Sequence, residues 1–236
     1  MRKTFAPGVG GVVSADIAVP EHEREVSFYS SILTTGESAL WQDDLMNNQG
    51  APVIGLGMRT PEYEVLPLQW TPHIQVADVA TSARRAIELG GKELLHGKDD
   101  DGNSLWAGLL DPNGAAFGII PAVPDDAVSR DENIGCISSL KLYVPNPEPT
   151  QDFYRQVVGW SSADVVSAGE ICPADGENAE LPPIWLIGLP VADLQESLRR
   201  VRAGGGDVVQ ETSTDGVSTA AVIRDPVGVY IALEQD

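Results

Sequence analysis

Hydrophobic and polar residues follow two kinds of periodicity along this chain, and together they predict a repeating order of strands and helices. Period-two alternation marks strands, and an apolar stripe at helical spacing marks the segments that follow them. Proline residues end the opening strands, and paired glycines end the later helices. In the first half these patterns predict strand 13–19, helix 21–33, strand 52–58, strand 71–76, helix 79–89 and strand 115–121.

The second half of the chain repeats this order. Its patterns predict strand 137–144, helix 149–158, strand 186–191, helix 194–203 and strand 229–234. Short motifs recur in the same sequence in both halves, at separations that drift only from 125 to 114 residues: Val19-Pro20 and Phe28-Tyr29 with Val144-Pro145 and Phe153-Tyr154, Trp70 with Trp185, Val76-Ala77-Asp78 with Val191-Ala192-Asp193, and Asp111-Pro112 with Asp225-Pro226. Several ordered matches at nearly constant spacing indicate a tandem repeat.

A stretch rich in proline and aspartate, with little apolar content, separates the two halves. Such composition is typical of a linker between domains. We therefore predict a first domain over residues 1–121, a linker over 122–133 and a second domain over 134–236. Each half closes with a hairpin whose turn reads Asp-Pro-x-Gly, because proline fixes φ and glycine accepts a positive φ.

Charge and composition narrow the range of partners. Acidic residues outnumber basic ones by 35 to 15, which gives a net charge of −20. This sign disfavours nucleic acid and anionic membranes, since both bind positive surfaces. No apolar run approaches the ~20 residues needed to span a bilayer, and residues 1–8 do not read as a secretory signal. We expect a cytoplasmic protein that is a monomer or a homodimer; its two cysteines, Cys136 and Cys172, form no disulfide framework or metal pattern.

The chain resembles the vicinal-oxygen-chelate superfamily, which includes glyoxalases, bleomycin-resistance proteins and dioxygenases. Three motifs in a fixed order carry this resemblance. They are Val-Pro-x(7)-Phe-Tyr from Val19 to Tyr29, Val-Ala-Asp-Val-x(10)-Gly-Gly from Val76 to Gly91, and the segment from Leu109 to Gly118. The resemblance implies an α+β fold of two tandem domains, each of paired βαβββ modules whose curved mixed sheets enclose a cavity. The segment Ala6-Pro7-Gly8 is similar to the opening of two-domain members of actinobacterial type. The stretches 36–52 and 159–182 are short for a full set of module strands, so some edge strands should be missing or very short.

Metal-dependent members of this superfamily hold a divalent cation with His and Glu side chains on the inner face. Carrying those positions over by motif places no such ligand in either half: the residues there are Ser14, Thr71, Gly118, Ser139, Leu186 and Ala232. Imidazole and carboxylate groups must converge to bind these cations. The three histidines do not supply them, because His22 and His96 read as loop residues and His73 is alone on its strand. We therefore predict that the protein holds no metal and needs no cofactor.

Alternation along the strands predicts which side chains line the cavities. Asp16, His73 and Lys141 are the candidate acid–base groups. The alternatives are a core or rim histidine bonded to backbone for His73, a buried structural hydrogen bond near the domain interface for Asp16, and a solvated side chain for Lys141. Small residues at former ligand positions leave room for an organic molecule. The candidate ligand-binding residues are Ser14, Thr71, Gln75, Trp106, Gly118, Ser139, Tyr143 and Tyr230. Trp106 has no aromatic counterpart in the repeat, whereas Trp70 and Trp185 recur and suggest a scaffold role.

Three functions remain open at this stage. The first is a metal-free protein that binds or sequesters a bulky, partly aromatic small molecule such as a drug or natural product. The second is a metal-independent tailoring enzyme of natural-product biosynthesis that uses acid–base residues. The third is a metal-dependent lyase or dioxygenase. We expect the ligand to be uncharged or cationic and to bind near Asp16, His73, Gln75 and Trp106, with an anionic ligand near Lys141 and Tyr143 as the alternative.

Overall fold

The computed structural model describes residues 8–33, 41–42, 46–47, 54–123, 137–160 and 169–235. Within them the strands are β1 (Val12–Val19), β2 (Trp41–Gln42), β3 (Met46–Asn47), β4 (Ile54–Met58), β5 (Thr71–Val76), β6 (Lys92–Lys98), β7 (Ser104–Leu110), β8 (Ala116–Pro121), β9 (Ser139–Val144), β10 (Glu170–Pro173), β11 (Trp185–Val191), β12 (Asp207–Thr214), β13 (Val217–Arg224) and β14 (Tyr230–Gln235). The α-helices are α1 (His22–Leu33), α2 (Val79–Glu88), α3 (Pro147–Val158) and α4 (Leu194–Ala203).

Two six-stranded mixed sheets form the framework, one from each half of the chain. Their strand orders are β4-β1-β5-β8-β7-β6 and β10-β9-β11-β14-β13-β12. In the first sheet β4 and β1 are parallel, as are β5 and β8, and in the second sheet β11 and β14 are parallel. The hairpin pairs β7–β8 and β13–β14 are antiparallel. The predicted α+β class with two tandem domains is thus confirmed, and the strands described between α1 and β4, which are β2 and β3, are two residues long each.

Local sequence accounts for where the helices begin and end. Asp78 and Asp193 cap α2 and α4, and their carboxylates accept hydrogen bonds from the backbone N–H of Thr81 and Glu196.

The prediction that His22 and His96 lie in loops is wrong. His22 begins α1 and its Nε2 contacts the Leu56 carbonyl oxygen at 2.9 Å, whereas His96 lies within strand β6.

The chain divides into two compact units, and each unit draws on both halves of the sequence. Unit 1 comprises Met1–Val13, Val65–Val128 and Leu140–Trp185, and unit 2 comprises Ser14–Glu64, Ser129–Ser139 and Leu186–Asp236. Residues 124–136 lie outside the described ranges, so the linker over 122–133 stays a prediction. No helix in the described ranges is long and apolar enough to cross a membrane.

Unit 1 packs α3 of the second half against α2 and its turn from the first half. The ring of Phe153 lies over Gly91, where an added Cβ would meet it at 3.3 Å. Tyr154 is buried in an aromatic cluster with Phe117, Trp160 and Trp185, and its hydroxyl accepts a hydrogen bond of 2.8 Å from Trp185 Nε1. The repeated Phe-Tyr pair therefore holds together segments from opposite halves of the chain.

Unit 2 repeats this packing with the halves exchanged. Phe28 of α1 lies over Gly206, where an added Cβ would meet the ring at 3.0 Å. Tyr29 is fully buried, and its hydroxyl donates a hydrogen bond of 2.8 Å to the carboxylate of Asp225. Ser197 of α4 donates through its hydroxyl to the Ile32 carbonyl at 2.7 Å. Helix α1 of the first half is thus anchored on the closing module of the second.

Candidate functional site

One row of residues crosses four adjacent strands of unit 1 and carries two glycines at its centre. His73 of β5 is the register partner of Gly118 of β8, which pairs with Gly108 of β7, which pairs with Leu95 of β6. Side chains of register partners lie on the same face of a sheet. Because the two central positions have no side chain, we infer a recess over Gly108, between the His73 ring and Leu95, which we call the glycine recess.

The walls of the glycine recess are apolar. Leu66, in the loop before β5, lies 3.8 Å from the point where a Cβ on Gly108 would stand. Trp106 is two residues from Gly108 on β7 and so shares its face. The Trp106 indole lies directly against Gly97 of the neighbouring strand, where an added Cβ would overlap the ring, and 40% of the residue remains exposed. An exposed indole beside an apolar recess is suited to stacking on a planar molecule.

The imidazole of His73 fills the space above Gly118. A Cβ added at Gly118 would stand 2.6 Å from His73 Cδ2, so a residue larger than glycine there would displace the ring. Glycine at this position thus accommodates His73, and the floor of the recess lies at the buried Gly108, where an added Cβ meets only ordinary van der Waals contacts with Leu66 and Leu95. Sequence reasoning did not select Gly108, although a glycine inside a strand is a known sign of close approach by another group.

Gln75 is fully buried, and its side-chain amide binds backbone groups. Its Oε1 accepts hydrogen bonds from the N–H of Gly8 and Val123 at 3.1 and 2.8 Å, and its Nε2 donates to the Gly11 carbonyl at 3.3 Å. These bonds fasten the segment before β1 and the end of β8 onto strand β5. The geometry therefore gives Gln75 a structural role, and its predicted contact with a ligand remains untested.

Unit 2 contains a different arrangement at the matching place. Ser139 donates through its hydroxyl to Glu234 Oε1 at 2.5 Å, and both lie over Gly188, the repeat counterpart of His73. A Cβ on Gly188 would overlap the Ser139 hydroxyl and stand 2.8 Å from Glu234 Oε1. Glycine in β11 thus makes room for a hydrogen-bonded serine–carboxylate pair, whereas in unit 1 the imidazole stands on β5 over a glycine of β8.

Lys141 and Tyr143 lie on strand β9 opposite two residues of β10. Lys141 is the register partner of Glu170, and Tyr143 is the partner of Cys172. Burial raises the pKa of the Cys172 thiol to about 11, and the Glu170 carboxylate adds to this shift. Burial likewise raises the pKa of the Tyr143 hydroxyl. A carboxylate across from Lys141 weakens the case for an anion site there, and both Cys172 and Tyr143 hold their protons at neutral pH.

The other predicted site residues are dispersed. Asp16 is exposed and belongs to unit 2, whereas His73 and Lys141 belong to unit 1. Ser14, Thr71 and Tyr230 are each partly exposed on their strands. Trp70 and Trp185 are fully buried, as expected of scaffold residues.

The residues at the superfamily's metal positions do not fit a divalent cation. Ser14, Thr71, Gly118, Ser139, Leu186 and Ala232 carry no carboxylate or imidazole group. Register places only one imidazole, that of His73, beside Gly118, and places Gly188 beside Ala232, so neither pair brings several ligand groups to one point. In the part of the chain that the structure describes, no group of three or more His, Cys, Asp or Glu side chains is placed to hold a metal ion.

Comparisons with known proteins agree with this fold. Residues 13–120 match the family model described as a glyoxalase-like domain. A candidate glyoxylase of Mycobacterium tuberculosis, CFP32, is 24% identical over 240 residues and covers 92% of each chain. The anthracycline biosynthesis protein DnrV of Streptomyces peucetius is 23% identical over 176 residues, which span 69% of this chain and 64% of DnrV.

Solved structures share the architecture at low sequence identity. The Mn(II)-bound glyoxalase from Novosphingobium aromaticivorans matches with a TM-score of 0.54 and 17% identity, over 97% of this chain and 83% of that one. The 2,2',3-trihydroxybiphenyl 1,2-dioxygenase from Sphingomonas wittichii strain RW1 matches with a TM-score of 0.55 and 15% identity, over 98% and 91% of the two chains. At these identities the likeness concerns the fold alone.

Proposed function

The chain is a glyoxalase-like member of the vicinal-oxygen-chelate superfamily, and we propose that it binds a planar organic molecule in the glycine recess without a metal ion. The observation that carries this proposal is the row from His73 through Gly118 and Gly108 to Leu95. The His73 ring occupies the space above Gly118, and the missing side chain of Gly108 leaves room for a ring between His73 and the apolar Leu66 and Leu95.

Each group at the recess has a separate role in binding. Trp106 offers an exposed indole face for stacking, and Leu66 and Leu95 provide apolar walls. His73 supplies one hydrogen-bonding group that orients the ligand, since a ring nitrogen can donate or accept. The net charge of −20 favours uncharged or cationic ligands over anions.

The relatives support an aromatic ligand class. DnrV is named for anthracycline biosynthesis, and anthracyclines contain fused planar rings. A metal-independent tailoring reaction with His73 as the acid–base group is the second candidate function, because this imidazole stands at the recess. Product formation from a bound ligand, rather than its unchanged recovery, would distinguish the second function from the first.

A binding experiment with a filled recess tests the proposal. We expect 1,8-dihydroxyanthraquinone to quench tryptophan fluorescence saturably, and to do so equally after dialysis of the protein against EDTA. Gly108→Val should fold normally, because a Cβ there meets no close contact, yet it should weaken binding at least about tenfold by filling the floor. Gly55→Ala is the matched control, since an added Cβ in β4 also meets only an ordinary contact and lies in unit 2.

Two polar variants locate the site. His73→Ala should cost about 1–3 kcal/mol of binding free energy through the lost hydrogen bond, whereas Lys141→Ala should bind as the wild type does. Normal binding by both Gly108→Val and His73→Ala would show that the recess is not the site. Loss of binding in Lys141→Ala alone would place the ligand in the second half instead.

A further inference from the structure

The β6–β7 hairpin of unit 1 brings a carboxylate, an imidazole and a hydroxyl into one hydrogen-bonded chain. Glu93 Oε2 lies 2.9 Å from His96 Nδ1, and His96 Nε2 lies 2.8 Å from the hydroxyl oxygen of Ser104. An ionised carboxylate only accepts hydrogen bonds, so the Nδ1 atom carries the proton and Nε2 presents its lone pair to the serine. This is the order of groups by which a base activates a serine hydroxyl as a nucleophile.

The hairpin's own geometry produces this arrangement. A register shift between Gly97 and Lys98 makes Ser104 the partner of Lys98 and brings its hydroxyl within reach of His96 two residues away. The carboxylate of Asp99 accepts hydrogen bonds from the backbone N–H of Asn103 at 2.8 Å, which fixes the turn leading into Ser104. Irregularities of this kind re-aim side chains in strands and are frequent beside active sites.

The three groups are ordered and still reachable from solvent. The His96 side chain is 16% exposed and that of Glu93 is 35% exposed, while Ser104 is partly exposed. Trp106 pairs with Gly97, and Ser104 pairs with Lys98 across the register shift, so Ser104 shares the face of His96 and the indole lies on the opposite face. Aryl esters suit an accessible hydroxyl of this kind, because a phenolate leaves an ester more readily than an alkoxide does.

The repeat supplies an internal comparison. Ser218 of β13 is the counterpart of Ser104, and Gln210 and Glu211 stand where His96 would be. The Ser218 hydroxyl donates directly to Glu211 Oε2 at 3.2 Å, with no imidazole between them. Since the second hairpin forms without a histidine, the imidazole of the first is not a requirement of this hairpin fold.

We propose that Ser104 is a nucleophile for acyl transfer from aryl esters, with His96 as its general base and Glu93 as the residue that positions His96. The Ser104 oxygen forms a bond to the ester carbonyl carbon while His96 Nε2 takes the hydroxyl proton. The carbon–oxygen bond to the phenol then breaks, and the phenolate receives that proton. Water, deprotonated by His96, next attacks the acyl-serine, which releases the carboxylic acid and restores the serine hydroxyl.

Covalent labelling tests the nucleophile directly. We expect a fluorophosphonate probe to add once to the full-length protein, and peptide mass spectrometry to place the adduct on Ser104. Ser104→Ala should lose both the adduct and hydrolysis of p-nitrophenyl butyrate, and Ser218→Ala should keep both. His96→Gln should slow the labelling of Ser104 about a hundredfold or more and should abolish the increase of the labelling rate with pH. A histidine with a purely structural role would not control how the labelling rate depends on pH. Glu93→Gln should slow labelling while its melting temperature stays that of the wild type.

The contrary outcomes are equally distinct. Equal labelling of Ser104 and Ser218 would show that the imidazole does not activate the hydroxyl. Hydrolysis that persists in Ser104→Ala but disappears in His96→Gln would make the imidazole itself the nucleophile and overturn the assignment of Ser104. Neither result would bear on the glycine recess, whose test uses Gly108 and His73.

Discussion

At the scale of single residues, the side chains packed beside the Asp-Pro turn differ in chemistry between the two units. In unit 1 Thr150 accepts a hydrogen bond of 3.0 Å from the side-chain amide of Asn113 next to Asp111. In unit 2 the repeat places Glu25 where Thr150 stands and Val227 where Asn113 stands. Glu25 is fully buried, and apart from Asp225 the described residues offer its oxygens no hydrogen-bond partner. Unit 2 therefore has the carboxyl group of Glu25 in place of the Thr150 hydroxyl, and Val227 provides no side-chain amide to bind it.

This substitution creates a coupled pair of buried carboxyl groups. Burial raises the pKa of Glu25 to about 8, and the Asp225 charge adds to the shift, while Arg24 opposes it and Glu21 adds further. Burial also raises the pKa of Asp225, although hydrogen bonds from the Val229 N–H and the Tyr29 hydroxyl act against that rise. At pH 7 we expect the folded pair to hold one proton, carried mainly by Glu25.

We predict a stability that falls with rising pH because of this proton. The unfolded Glu25 loses it near its ordinary pKa of 4.5, whereas the folded residue keeps it to about 8. Between these values the folded state binds the extra proton, so the free energy of unfolding should decrease by about 1.4 kcal/mol per pH unit. Glu25→Gln should flatten this dependence in urea unfolding between pH 5 and 8. The exposed Glu23→Gln serves as the control, and the same slope in both variants would contradict the assignment.

At the scale of elements, the Asp-Pro-x-Gly turns are joints between the halves of the chain. Asp111 accepts hydrogen bonds from the backbone N–H of Asn113 and Ala115 at 2.8 and 2.9 Å, and the hydroxyl of Tyr154 lies 3.4 Å from its other oxygen. Asp225 makes the same backbone contacts in unit 2 and binds Tyr29 more closely, at 2.8 Å. Each turn thus shapes its own hairpin and anchors a helix from the other half.

We predict that Asp111→Ala destabilises the protein by roughly 2–4 kcal/mol, because it leaves two backbone N–H groups and a buried tyrosine hydroxyl without their acceptor. Chemical denaturation followed by circular dichroism measures this loss. Asp99→Ala provides the comparison, since Asp99 also binds backbone N–H groups but in an exposed turn. A loss for Asp111→Ala no larger than that for Asp99→Ala would show that the buried turn contributes nothing beyond an ordinary surface turn.

At the scale of the whole molecule, the units and the repeats do not coincide. Each unit contains a helix carrying the Phe-Tyr pair from one half and an Asp-Pro turn from the other, as Tyr29 with Asp225 and Asp111 with Tyr154 show. The predicted linker over residues 122–133 therefore joins two halves of the chain, and each half contributes segments to both units.

Limited proteolysis tests this organisation. We predict that a protease of broad specificity first cuts within residues 122–133 and leaves two fragments of similar mass on a denaturing gel. Because both units contain segments from each fragment, the fragments should still elute together in native size-exclusion chromatography. First cleavage within 71–89 would contradict the linker prediction, and separate elution of the fragments would contradict the shared units.

Local pattern was sufficient for most elements because local forces determine them. Strand β5 and helices α2 and α4 lie within one residue of their predicted bounds, since period, capping aspartates and paired glycines are all near neighbours in sequence. Strand β6 was not predicted. Its residues 92–98 alternate poorly, and the pairing that makes them a strand comes from β7.

The sequence by itself determined the tandem repeat, the α+β class, the resemblance to the superfamily and the absence of metal-ligand residue types from its usual positions, because residue identity and spacing are enough for each. Only the tertiary structure decided which half of the chain packs on which turn, that Gln75 binds backbone, that His73 covers Gly118, and that His96 joins Glu93 to Ser104. These last facts depend on strand register and on contacts between segments far apart in sequence, and a one-residue slip of register would reverse the face of every side chain involved.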